Sequence, residues 1–125
     1  MLPAAHRLRR SVDFERTVRR GTRAGRSTLV VHLLVQDEKV SDPGSGTPQV
    51  GFVVSKAVGN SVQRNLVKRR LRAAALGQLS VLPSSARAVV RALPPSADAT
   101  YADLDRDLDA CLRRAVMRAS GDGKR

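Results

Sequence analysis

The feature that most constrains this fold is a helix-forming segment, residues 60–76, that contains no glycine or proline. It follows an apolar run at residues 50–54 that is typical of a β-strand. The dipeptide Gly59-Asn60 between them is typical of a turn. We predict that the Ser61 hydroxyl caps the helix by accepting a hydrogen bond from its first turn. The chain is therefore expected to combine strands and helices.

The predicted helix separates its cations from its apolar side chains. At 100° per residue, an arc of roughly 140° carries only basic and amide side chains. This arc consists of Arg64, Asn65, Lys68, Arg69 and Arg72. The other side carries Val67, Leu71, Ala74 and Ala75, with Leu66 and Arg70 at its flank. Like charges one turn apart repel by a few tenths of a kcal/mol. A face that keeps them together is typical of a surface that binds a polyanion, and the alternative is an ordinary solvated face.

The whole chain is strongly cationic, with 23 Lys and Arg against 11 Asp and Glu among 125 residues. The net charge of +12 favours phosphate-rich partners. Only 2% of the residues are aromatic, so we expect a core of Val, Leu and Ala and no sheet that stacks several bases. The length predicts one domain, residues 1–125. The single Cys111 fits a cytoplasmic setting, and no apolar run is long enough to predict a membrane partner.

The first half of the chain is predicted to form a helix and a strand. A basic lead-in covers about 1–10, and its Arg7, Arg9 and Arg10 are expected to be mobile and able to touch RNA. Ser11 is predicted to cap a helix that ends at Gly21. The β-branched and apolar run at 28–35 predicts a strand. The polar stretch at about 36–48 is rich in Gly, Pro and Ser and predicts a flexible loop.

The second half is predicted to contribute strands at 49–55 and 87–93 on either side of the basic helix. Thr100 and Asp103 form a capping-box pattern at the start of a last helix. That helix is expected to end near residue 119, before a tail at about 120–125.

The last helix is expected to place Tyr101 on its apolar side and its early acids towards solvent. These acids are Asp103, Asp105, Asp107 and Asp109. Such a helix is not expected to face nucleic acid. The full order is helix, strands, helix, strand, helix. It predicts an α+β fold, a single-domain two-layer sandwich in which a small mixed sheet packs with helices.

The sequence contains none of the common catalytic motifs. It has no G-x-S-x-G, no H-E-x-x-H, no phosphate-binding Walker loop and no C-x-x-C. The predicted strands hold no carboxylates for a two-metal nuclease. We therefore predict no catalytic residue, no metal site and no small-molecule substrate, and we interpret the chain as an RNA-binding subunit.

Residues 51–72 read GFVVSKAVGNSVQRNLVKRRLR and resemble the basic-helix motif of the protein subunit of bacterial ribonuclease P. In that family a strand ending in S-K is followed by G-N, then by R-N-R-x-K-R and a further R. Residues 7–14, RLRRSVDF, resemble the opening of the family, and residues 91–94, RALP, resemble its last strand. The resemblance covers nearly the whole chain in the same order.

The resemblance implies a ribonuclease P protein-like fold and a subunit that binds a catalytic RNA. That RNA removes the 5′ leader of precursor tRNA with Mg²⁺, so the chemistry is expected on the RNA. The residues implied to bind the catalytic RNA are Lys56, Asn60, Arg64, Asn65, Lys68, Arg69 and Arg72. The residues implied to line a leader-binding cleft between the first helix and the sheet are Phe14, Val18, Val30 and His32.

The chain departs from the family pattern in three places. Leu66 stands where the motif has its second arginine, and we interpret Arg70, one turn further on, as an RNA-binding residue that supplies the missing charge. The alternative is that Arg70 only borders the core. Val18 and His32 stand where aromatic residues are common, and Ala57 where a basic one is usual.

Several alternatives remain open at this point. Phe14 and Val18 are one turn apart, and both could be ordinary core residues. His32 could be a buried neutral histidine, a stacking platform or a metal ligand, although no second ligand lies near it in sequence. A ribosomal or other structural RNA-binding protein would carry a similar charge. A helix-turn-helix DNA-binding protein fits less well, because the basic helix follows a strand.

Overall fold

The computed structural model describes residues 6–8, 10–35 and 47–122, with side chains up to residue 119. The helices are α1 (Ser11–Arg20), α2 (Ser61–Leu76) and α3 (Tyr101–Asp122). The strands are β1 (Thr22–Gly25), β2 (Leu29–Val35), β3 (Gln49–Val53) and β4 (Ala86–Ala92). Short 3₁₀ turns cover Leu79–Val81 and Pro94–Asp98. Most of the predicted flexible loop and the last three residues of the predicted tail lie outside the described residues, and α3 extends to Asp122.

The four strands form one mixed sheet in the order β1-β2-β4-β3. β2 pairs antiparallel with β1 and β4, whereas β3 and β4 are parallel and α2 lies between them in the chain. The predicted α+β class, mixed sheet and element order are confirmed. β1 was not predicted, because four residues that include a glycine and an arginine carry no local strand signal.

The main hydrophobic core lies between one face of the sheet and the two longer helices, α2 and α3. It is built almost entirely from Val, Leu and Ala, as the low aromatic content predicted. Its fully buried members include Leu29, Val31, Leu33, Leu71, Val90, Leu104, Leu108 and Leu112. Truncating any of these leucines to alanine is expected to cost about 2–5 kcal/mol of stability. The other face of the sheet is partly covered by α1.

The N-terminal segment is docked rather than mobile, in the part that the structure describes. The backbone N–H of Leu8 donates to the carbonyl of Val50 at 3.1 Å, and the Leu8 side chain is buried. A ring nitrogen, His6 Nδ1, lies 2.8 Å from the carbonyl oxygen of Pro48. Arg7 forms a parallel bridge with Val50, so the expectation that it is mobile is wrong, because residues 6–8 satisfy polar groups on the edge of β3. Arg9 lies outside the described residues.

Two predicted helix caps are displaced by one residue. The backbone carbonyls of Arg10 and Asn60 already accept helical hydrogen bonds, so these residues are the N-caps of α1 and α2. Ser11 and Ser61 are therefore the first helical residues, and neither is the predicted cap. The capping box predicted for α3 is confirmed, because Thr100 and Asp103 exchange hydrogen bonds of 3.1 Å. Those bonds, first from the Thr100 backbone, lower the pKa of Asp103.

Two side chains of α3 do not lie where they were predicted, one on its apolar side and one among its acids. Tyr101 is 45% exposed and does not join the apolar side. Asp107 is only 5% exposed, because its Oδ2 accepts a 2.7 Å hydrogen bond from Thr28 Oγ1. A buried carboxylate with a hydrogen-bond donor ties α3 to the start of β2. No helix in the described part of the chain is both long enough and apolar enough to cross a membrane.

Candidate nucleic-acid interface

The cationic face of α2 forms as predicted. Its buried side consists of Val67, Leu71, Ala74 and Ala75, each at most 2% exposed. On the solvent side, Asn65, Arg69 and Arg72 are exposed, and Arg64 and Lys68 are half-buried. The ion pairs among the described residues include no α2 side chain. The face therefore offers its positive charge to an external anion.

A capping box sets where this face begins. Asn60 Oδ1 accepts from the N–H of Gln63 at 2.9 Å, and Gln63 Oε1 accepts from the N–H of Asn60 at 3.0 Å. Gly59 has φ +157°, and a Cβ there would lie 2.8 Å from Gln63 Cδ. Arg64 Nε also donates to the Gly59 carbonyl at 3.2 Å. Asn60 and Arg64 thus shape the turn themselves, while the exposed Lys56 precedes it.

Arg70 has a partner inside the protein. Its Nη1 donates a 2.7 Å hydrogen bond to the carbonyl of Ala99, just before α3. This contact holds α2 against the start of α3, as the core-border interpretation of Arg70 predicts. A guanidinium has further N–H donors, so the contact does not decide whether Arg70 also replaces the charge absent at Leu66.

We expect Arg70→Leu to lower the free energy of unfolding by about 1–3 kcal/mol, because Ala99 loses a charged hydrogen-bond donor. If Arg70 also neutralises a phosphate, the slope of log binding constant against log salt falls by roughly 0.7–0.9. Adding Leu66→Arg should then restore the slope. Thermal unfolding and RNA titrations at several salt concentrations measure both effects. An unchanged slope would leave Arg70 with the structural role alone.

α1 lies on the opposite face of the sheet and is held there by a partly buried ion pair. Arg87 Nη1 of β4 donates to Asp13 Oδ1 at 2.6 Å, and the two side chains are only 17% and 12% exposed. Thr17, one turn after Asp13, is fully buried and donates its hydroxyl to the Asp13 carbonyl. This anchoring leaves the Phe14 and Val18 side of α1 at the border of the sheet.

An apolar groove runs between α1 and the end of β3. Phe14 is half-buried and Val18 is 42% exposed, so Val18 is not a core residue. The groove has a volume of about 550 Å³. Its lining consists of Ser11, Phe14, Glu15, Val18, Arg19 and Val53. The ring of Phe14 contacts the backbone of Gly51 so closely that a Cβ there would lie 2.6 Å from Phe14 Cε1. Gly51 therefore positions the ring.

Val30 and His32 lie on the same face of the sheet as this groove but are largely covered. Strand register places Val30 beside Arg91, and Arg91 beside Val53. Val30 is 6% exposed and His32 is 9% exposed, and neither lines the groove itself. The structure thus brings Phe14 and Val18 together and leaves the other two cleft residues beneath or beside them.

The surroundings of His32 favour the neutral-histidine interpretation. Burial, followed by the positive charges of Arg23 and Arg91, lowers the pKa of His32. A histidine whose pKa lies below its ordinary value is uncharged at neutral pH. No group of three His, Cys, Asp or Glu side chains within the described ranges could hold a metal ion. The groove residues that the sequence did not indicate are Ser11, Glu15, Arg19 and Val53. Strand alternation from Gly51 would have found Val53.

A second, smaller concavity joins the groove to the cationic face of α2. It has a volume of about 140 Å³ and lies at the open edge of β3. Its lining consists of Arg7, Leu8, Phe14, Val50, Gly51, Phe52, Lys68 and Arg72. Phe14 lines both concavities, while Lys68 and Arg72 belong to the cationic face. The two surfaces therefore meet at one point of the molecule.

A mixed sheet with a cationic helix on one face and an apolar cleft on the other is typical of a nucleic-acid-binding α+β protein. The family model for ribonuclease P matches residues 2–116. The chain belongs to the ribonuclease P protein family. It is accordingly the RNA-binding protein component of an endoribonuclease that acts in tRNA 5′ processing. This membership decides against the ribosomal and helix-turn-helix alternatives.

Similar proteins cover almost the whole chain. The ribonuclease P protein component of a Nocardioides species is 57% identical over 121 residues, which are 97% of this chain and 100% of the relative. That of Streptomyces bikiniensis is 55% identical over 93% of this chain and 96% of the relative. The structure of the Staphylococcus aureus RNase P protein has a TM-score of 0.74 at 25% identity, covering 88% of this chain and 94% of that one. The Thermotoga maritima RNase P protein shares the fold, with a TM-score of 0.72 at 22% identity over 86% and 96%.

Proposed function

We propose that the cationic face of α2 binds the catalytic RNA of ribonuclease P and that the α1 groove binds the 5′ leader of precursor tRNA. The observation that carries this proposal is the double role of Phe14, which lines the groove and the concavity that contains Lys68 and Arg72. A single strand in the groove would therefore leave it directly beside the RNA held by α2.

The groove has the chemistry of a single-stranded nucleic-acid site. Such sites combine cations that attract the backbone with flat apolar surfaces on which bases stack. Here Phe14 supplies one aromatic surface and Val18 and Val53 supply aliphatic ones. Arg19 lines the groove, and Arg91 lies beside Val53 in the sheet. With one aromatic ring, the site stacks one base and tolerates many leader sequences.

In this function, Mg²⁺ and the hydrolytic chemistry belong to the RNA. The described residues offer no cluster of His, Cys, Asp or Glu side chains that fits a metal ion. The chain would contribute position and charge, because it neutralises phosphates and holds the leader in place. The free, buried Cys111 is consistent with a cytoplasmic location for the assembled particle, which we also propose.

Reconstitution tests the proposal. The protein alone is expected to leave precursor tRNA uncut, and bacterial ribonuclease P RNA alone is expected to cut it slowly at low Mg²⁺. The two together should cut it faster than the RNA alone. Leader removal by protein that is rigorously free of RNA would contradict the proposal, as would failure of the protein to stimulate the RNA.

Phe14→Ala should weaken the binding of precursor tRNA to the holoenzyme by about tenfold, because a stacked base contributes ~1–3 kcal/mol. Mature tRNA has no leader, so its binding should be unchanged. Equilibrium titrations of both tRNAs measure the difference. Tyr101→Ala is the control, because this exposed tyrosine starts α3 and lines neither concavity. Equal weakening for both tRNAs would show that Phe14 serves the core.

A further inference from the structure

An exposed apolar stripe borders the cationic face of α2. At 100° per residue, Val62, Leu66 and Ala73 fall within about 40° of one another. Val62 is 74% exposed and Leu66 is 37% exposed, and Ala73 is exposed as well. Val62 is the most exposed large hydrophobic side chain in the part of the chain that the structure describes. Charge attraction to phosphates does not explain why these apolar side chains are exposed.

The stripe is continuous with the face that binds RNA. Along this side of the helix, Arg69 lies between Leu66 and Ala73. Asn65 lies beside Arg69, nearer the middle of the cationic arc. Arg70, on the far side of the stripe, is tied to Ala99. A partner bound at Arg69 therefore lies next to Leu66, and RNA is the partner that the proposed function already places on this face.

We infer that this stripe packs against the sugar edges of a helical segment of the catalytic RNA. The inference rests on the proposed function. A-form RNA has a wide, shallow minor groove that displays ribose carbons and 2′-hydroxyls, and shape rather than base sequence is recognised there. A ridge of small aliphatic side chains fits such a surface, while the neighbouring cations reach the phosphates at its rim. Leu66 would then make an apolar contact with the RNA at the position where the family motif has an arginine that could contact a phosphate.

A second copy of this chain is the main alternative occupant, and the charges argue against it. The chain has a net charge of +12, and the stripe is bordered by arginines. Two such faces would repel each other. A stable protein interface also buries about 800 Å² on each partner, far more than three small side chains can supply.

The test is equilibrium binding of the protein to ribonuclease P RNA at several KCl concentrations. The double variant Val62→Ala/Leu66→Ala should bind about tenfold more weakly at every concentration, with an unchanged salt slope, because burial of apolar groups is insensitive to counterions. Arg69→Gln should instead lower the slope by roughly 0.7–0.9. Met117→Ala, an equally exposed apolar residue on α3, should bind as the wild type does.

Three outcomes would overturn the inference. The double variant could bind with wild-type affinity, or its defect could vanish at high salt, which would indicate an electrostatic cause. Wild-type dimers that the double variant loses in sedimentation would assign the stripe to a second copy. If the wild-type protein itself does not bind the RNA, the proposed function fails. If the wild type binds and the double variant binds equally well, only the inference fails. Thermal unfolding should be unchanged in the double variant, since alanine favours helix at exposed positions.

Discussion

Asp13→Ala is expected to lower the free energy of unfolding by about 2–4 kcal/mol, because it leaves the largely shielded Arg87 guanidinium without its carboxylate. A loss of that size is a large part of the total stability of a domain of this length. The melting temperature should fall by roughly 10–20 °C. Thermal or urea unfolding followed by circular dichroism measures the effect.

The same helix provides a matched control. Arg19 and Glu15 also pair at 2.6 Å, but their side chains are 72% and 64% exposed. Glu15→Ala should therefore change stability by less than about 1 kcal/mol. The double variant Asp13→Ala/Arg87→Leu should recover much of the loss, because it removes both charges together. Equal effects of Asp13→Ala and Glu15→Ala would show that burial of the first pair is unimportant.

Replacing Lys68, Arg69 and Arg72 by glutamine is expected to weaken binding to the catalytic RNA by about a hundredfold or more at moderate salt. Each lost phosphate contact lowers the salt slope by roughly 0.7–0.9, so the slope should fall by about 2–3. Glutamine keeps the first methylene groups and the helix propensity of these side chains, so the fold should be retained. Titrations of the RNA at several KCl concentrations measure affinity and slope together.

The control variant removes the same number of charges from another helix. Arg106, Arg113 and Arg114 lie on α3, and two of them pair with aspartates of the same helix. Their replacement by glutamine changes the net charge equally and should leave the salt slope nearly unchanged. If both triple variants lose affinity alike, binding depends on total charge and not on the cationic face of α2.

The long elements were predictable because their signals are local. An apolar run followed by a turn and a segment without glycine or proline predicted β3 and α2, and the buried side of α2 followed from periodicity alone. The capping box at Thr100 and Asp103 also lies within four consecutive residues. The cationic face could be predicted from the spacing of its side chains alone.

Features that depend on a distant partner were missed. β1 exists because its four residues pair with β2, and residues 6–8 are ordered because the edge of β3 accepts them. Asp13 pairs with Arg87, which is 74 residues away. Asp107 was expected in solvent and is buried against Thr28. Apart from β1, whose partner is the next strand in the chain, each of these features has a partner far away in sequence, so no local pattern predicts it.

The sequence by itself determined the class of fold, the cationic helix and the family, because helix periodicity, turn residues and the motif at 51–72 are all read within short segments. Only the tertiary structure decided that the α1 groove and the cationic face meet at the open edge of β3. That meeting requires Phe14 to rest on Gly51 and Lys68 to approach the same edge from the other side. Packing between distant residues sets such positions, because they follow from how the helices and the sheet fill space together.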